Sequence, residues 1–78
     1  LSWQGLRLEF VEMPLRDVAD EFNRYNQRKL VIEDNRTGAI LVQGNFRADN
    51  VDAFVRLLDL GFGVTAIPRG NELVLRAR

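Results

Sequence analysis

Apolar and polar positions alternate at the start of the chain, where Leu6, Leu8 and Phe10 interleave with Arg7, Glu9 and Val11, and this period of two predicts a half-buried strand. Pro14 suits the first turn of a helix, and Leu15, Val18, Ala19 and Phe22 then recur at three- and four-residue spacing, with Tyr25 continuing the stripe. The opposite face carries Arg16, Asp17, Asp20, Glu21 and Arg24, which predicts a solvated surface with Arg16–Asp20 and Asp20–Arg24 pairs. A β-branched run, Leu30 to Ile32, reads as a short strand. Asp34 to Gly38 has the composition of a loop, and Ala39 to Phe46 reads as a strand in which Gly44 marks a bulge or a close backbone approach. Asp49 is the expected N-cap of a second helix with Val51, Phe54, Val55 and Leu58 on its apolar side, ended by Gly61. Gly63 to Ile67 and Glu72 to Arg76 read as two strands joined by a three-residue loop, Pro68 to Gly70.

An offset of 36 residues lays Phe10 on Phe46, Leu15 on Val51, Val18 on Phe54, Ala19 on Val55 and Phe22 on Leu58. The pattern is that of two tandem β-α-β units, although any two amphipathic helices align this well. The expected fold is α+β: two helices packed between two small sheets, with a C-terminal β-hairpin. A chain of 78 residues holds one core, so residues 1–78 are expected to form a single, marginally stable domain.

Composition then narrows the function. Eleven basic residues balance eleven acidic ones, so no broad positive field exists to collect nucleic acid or anionic lipid. No apolar run approaches the roughly 20 residues of a membrane span, and no signal-peptide pattern opens the chain. The start at Leu1 and the end at Arg78 behind a strand suggest a piece of a longer protein. With no Cys and no His, thiolate chemistry, disulfides and the commonest general base and metal ligand are missing.

The remaining candidates for chemistry are weak. Asp17, Asp20 and Glu21 could approach a hard cation, but interleaved arginines read more simply as a solvated helix face. Glu33 and Asp34 are adjacent on a strand and point to opposite sides, so they make a poor pair of glycosidase carboxylates. Gly61-Phe62-Gly63 follows a helix, whereas phosphate loops precede one. Ser2 and Thr65 have no base partner. Trp3 has no place in the periodic pattern and reads either as a plug for the end of the core or as a docking residue for a preceding segment. Neither catalysis nor a cofactor is expected, and protein binding is the remaining role.

The first half of the chain, Trp3-Gln-Gly-Leu-Arg-Leu-Glu-Phe10 followed by Pro14-Leu15, Val18, Glu21-Phe22 and Arg24-Tyr25-Asn26, resembles the C-terminal region of FecR-type anti-sigma regulators. The second half, with Val42-Gln-Gly44-Asn-Phe46, Val51, Phe54 and Leu57-Leu58, is similar to the STN module of secretins and TonB-dependent transducers. The resemblance implies the periplasmic, signal-receiving domain of a single-pass inner-membrane protein whose cytoplasmic segment controls a sigma factor. The implied partner is the N-terminal signalling domain of a TonB-dependent outer-membrane transducer in siderophore and iron uptake, with proteases then releasing the sigma factor. The alternative is an STN domain of a secretin, self-associating as a ring element, or of the transducer itself. An exposed strand edge would carry the contact. The expected edge is Lys29 to Glu33, with Leu30 and Ile32 pointing one way, Val31 the other, and Arg28 and Asp34 flanking as orienting charges.

Overall fold

In a computed structural model, which describes residues 6–78, the first strand, β1 (Arg7–Pro14), is longer than its alternating pattern suggests. Leu8 and Phe10 face the core, whereas Leu6 stays exposed. Helix α1 (Leu15–Asn23) follows at once, so Pro14 is the N-cap residue and last strand residue. Its buried side is Leu15, Val18, Ala19 and Phe22, the spacing that puts four side chains on one face. Tyr25 lies past the helix end and is exposed, so it does not continue the stripe. Nor do Arg16, Asp20 and Arg24 pair as their four-residue spacing suggests; Arg24 reaches Glu21 instead, at 3.9 Å.

Strand β2 (Lys29–Ile32) leads to a single helical turn, α2 (Asn35–Gly38), where the sequence predicts a loop. The cause is local. The Asp34 carboxylate accepts the backbone N–H of Thr37 at 3.0 Å and its hydroxyl at 2.9 Å, which closes one turn too short to show helical periodicity. Strand β3 (Leu41–Arg47) precedes helix α3 (Val51–Gly61), whose N-cap is Asn50, not Asp49; the Asn50 side chain accepts from Ala53 N–H, while Asp49 pairs with Arg47 at 3.1 Å. Strands β4 (Val64–Arg69) and β5 (Glu72–Ala77) form the terminal hairpin. Its loop is the two residues Gly70 and Asn71, since Arg69 still pairs with Glu72. Gly70 supplies the positive φ, +61°, that a two-residue hairpin requires.

The two halves interlock. β1 pairs antiparallel with β3 in one sheet, and β2 and β4 flank β5 in the other, β2 running parallel to β5 and β4 antiparallel. The β-α-β pattern of each half is therefore real, but each unit places its first strand (β1, β3) in the two-stranded sheet and its last (β2, β4) in the three-stranded one, where β5 joins them. The helices fill the space between the sheets. At its centre Phe22 stacks on Phe54 with ring centroids 4.6 Å apart, and Phe46 meets Phe54 edge-on at 5.1 Å. Phe10 completes the group at 6.0 Å from Phe22. Around it pack Leu15, Val18, Val42, Leu58, Val64, Leu73 and Leu75.

The irregularity expected at Gly44 divides between two strands. Gly44, at φ +150°, is the close approach: a Cβ there would come within 2.9 Å of the Phe46 ring. The bulge itself lies across the sheet in β1, where Val11 and Glu12 intervene between Phe10, opposite Gly44, and Met13, opposite Val42. Glu12, inside this irregularity, adopts φ +47°, a left-handed conformation uncommon for a residue with a side chain.

Candidate functional site

Strand β2 is an edge of the three-stranded sheet, so Lys29 to Ile32 do have one side not paired to β5. Leu30 is buried and Ile32 packs partly against the core, while Val31 lies on the other face. That outer face carries a row of Val31, Val74 and Ile67 across the three strands. A network of ion pairs borders the row. Glu33 meets Arg69 at 2.8 Å and Arg76 at 3.5 Å, and Arg69 also reaches Glu72 at 3.1 Å. The Arg69 guanidinium, by its hydrogen bond and then its charge, holds the Glu33 carboxyl below its ordinary range, with Arg76 adding to the effect. Glu33 and Glu72 in turn raise Arg69.

The free side of β2 is partly closed by a residue that the sequence pattern does not single out. Asn23, at the end of α1, accepts the Leu30 N–H at 2.8 Å and donates to the Leu30 carbonyl at 3.0 Å. Its amide thus satisfies both edge-facing backbone groups of Leu30 as a neighbouring strand would. Ile32, two residues on, turns its N–H and C=O the same way and has no such cap among the described residues. Beside it lies a shallow groove of about 130 Å³ lined by Arg16, Ala19, Asp20, Leu30 and Ile32.

The flanking residues have structural tasks. Lys29 Nζ donates to the carbonyls of Asn23 and Asn26, at 2.8 and 2.6 Å, and so closes the end of α1. Asp34 caps α2, and the Thr37 N–H, followed by the Thr37 hydroxyl, lowers its pKa. Arg28 precedes β2 and lines a separate hollow with Asp49 and Asp52. The site residues expected from sequence therefore share one stretch of surface, yet within β2 it is Ile32 whose edge-facing backbone groups have no partner among the described residues. Asn23 and the two arginines of β4 and β5 come from distant positions, and nothing in the local sequence marks them.

Other candidates stay apart. Among the described residues no three carboxylates converge on a metal-sized site, and no helix is long and apolar enough to cross a membrane. Thr65 lies in β4. Ser2 and Trp3 lie outside the described residues.

Two crystal structures of a candidate anti-sigma factor from Parabacteroides distasonis ATCC 8503, at 2.50 and 1.65 Å resolution, match this architecture. Their TM-scores are 0.80 and 0.81 at 17% sequence identity, over 97% of this chain and 36% of each neighbour. The chain has the fold of that segment. It spans about a third of the neighbours' length. No protein-family profile matches the chain, and no curated protein matches its sequence.

Proposed function

We propose that this chain is the signal-receiving domain of an anti-sigma factor, without catalytic activity or cofactor, that works in the periplasm by binding the N-terminal signalling domain of a TonB-dependent outer-membrane transducer. The observation that carries the reading is the agreement of fold with the segment of the candidate anti-sigma factor over 97% of the chain. The Trp3 to Phe10 and Pro14 to Asn26 motifs favour the FecR-type regulator within that fold. In the longer protein, this domain would report transducer occupancy to a cytoplasmic segment that holds the sigma factor.

The contact is assigned to the edge of β2, from Lys29 to Glu33. A strand added there bonds first to Ile32, and displacement of Asn23 from Leu30 would extend the ladder by one rung. Isothermal titration of the purified chain with signalling domains of transducers from the same genome tests both parts. Binding to one of them, lost in Ile32→Pro while circular dichroism stays native, is the expected result. The Pro removes an N–H that faces away from β5, so the native sheet keeps its bonds. Undiminished binding by the folded variant rules out this edge, and no binding to any signalling domain rules out the partner.

A further inference from the structure

Among the described residues four strands have a free edge, and three of them carry a device that limits pairing. β2 has the Asn23 amide on Leu30. β4 has Pro68, which pairs with Leu73 at a position whose backbone faces away from β5, so the missing N–H falls on the open edge. β1 has the Val11–Glu12 bulge and ends in Pro14. Proteins blunt exposed edges with such features.

β3 has none of them. Its hydrogen-bonding pattern follows from two bonds at its ends, Ala48 N–H to Leu6 O and Leu15 N–H to Ile40 O. Alternation between these ends turns the backbone groups of Val42, Gly44 and Phe46 toward β1. The groups of Leu41, Gln43 and Asn45 therefore face outward as three successive open rungs. The edge stops at Arg47, whose carbonyl accepts Asn50 N–H. No side chain among the described residues caps the three rungs.

We infer that this edge pairs with β3 of a second copy, antiparallel and centred on Gly44. The segment Leu41-Val-Gln-Gly-Asn-Phe-Arg47 is nearly self-complementary about that centre. Gly44 meets Gly44, Gln43 meets Asn45, and Val42 meets Phe46, so amides face amides on the outer side and apolar residues face each other on the inner side. Gln43 and Asn45 exchange backbone bonds twice across the dyad. The one charged side chain of the strand, Arg47, is already paired with Asp49 and falls opposite Leu41. The two-stranded sheet β1-β3 becomes a four-stranded one, which a sheet of minimal width favours. Because the contact is isologous it closes as a dimer and leaves no further β3 edge. The contact area of a single strand pair makes this a weak dimer in reversible exchange. It is independent of the partner proposed for β2, since the two edges belong to different sheets.

Sedimentation equilibrium of the purified chain across a wide concentration range tests the pairing. A monomer–dimer equilibrium is expected. Gln43→Pro removes an outward N–H on each copy and should raise the dissociation constant at least tenfold, roughly the effect of two lost backbone bonds. A pair of charge variants fixes the register without proline. Gln43→Lys with Asn45→Lys sets lysines against each other and should give monomer, whereas Gln43→Lys with Asn45→Glu sets opposite charges together and should restore a salt-sensitive dimer. A wild-type chain that stays monomeric, assemblies larger than a dimer, or a folded Gln43→Pro variant that dimerises normally would each overturn the pairing.

Discussion

Thr37 is the one buried polar residue among the described positions, and replacing it with valine tests how the short turn α2 is tied to the sheet. The hydroxyl has two tasks at once. It donates to Asp34 at 2.9 Å and accepts the Ala77 N–H of β5 at 3.0 Å. Valine keeps the shape and removes both bonds. The Asp34 carboxylate is exposed and regains water, so its loss adds little. The Ala77 N–H is part-buried and has no other acceptor, and leaving such a group unpaired costs about 1–3 kcal/mol. A value near 2 kcal/mol is expected, against a total stability of roughly 4–12 kcal/mol for a chain of this size. The midpoint of thermal unfolding should fall by about 8–16 °C. Urea unfolding should show the same loss as a lower midpoint at unchanged slope. Thr37→Ser is the control, because it keeps both bonds and gives up one methyl group, worth about 1 kcal/mol. Amide exchange separates the two causes: Ala77 should lose protection in the valine variant and keep it in the serine variant. The Asp34 pKa, followed by NMR, should rise toward its ordinary value only with valine. If Thr37→Val is as stable as the parent with Ala77 still protected, the bridging role of the hydroxyl is wrong.

Gly44→Ala should destabilise by about 1–3 kcal/mol, from φ +150° and the approach to the Phe46 ring, and adding Phe46→Leu should recover part of that loss by removing the ring; a double-mutant cycle by urea unfolding that shows no coupling would refute the clash. Glu33 makes stability depend on pH in a definite direction. Its folded pKa lies below the unfolded one because of Arg69 and Arg76, so its contribution is present above the ordinary carboxylate range and is lost as pH falls through the lowered value. Unfolding midpoints measured at successive acidic pH values should fall less steeply in Glu33→Gln, and salt should shrink the difference because the pairs are exposed.

Much of this architecture is legible in the chain itself. The stripe Leu15, Val18, Ala19, Phe22 and its counterpart Val51, Phe54, Leu58 fix the two long helices, because only a 3.6-residue period puts those side chains together. The Leu30 to Ile32 run and the terminal hairpin likewise announce their strands. Elements set by one side chain are harder to read. The α2 turn depends on Asp34 reaching Thr37, and the choice of Asn50 over Asp49 as N-cap depends on Arg47 drawing Asp49 away. The Gly44 signal was correct for close approach, but the bulge went to β1, where no glycine marks it.

The candidate site divides in the same way. Local pattern places Lys29 to Glu33 in a short strand, since β-branched composition is a property of neighbours in sequence. Whether that strand is an edge, which half of the edge Asn23 covers, and how Arg69 and Arg76 converge on Glu33 depend on partners 7 to 43 positions away. So does the exchange of strands between the two halves, which leaves β3 with three open rungs. The sequence alone determined an α+β pattern with two long amphipathic helices in a chain that has neither His nor Cys. Only the tertiary structure decided which backbone groups remain unpaired, because a strand's hydrogen bonds are made to segments that its own residues do not specify.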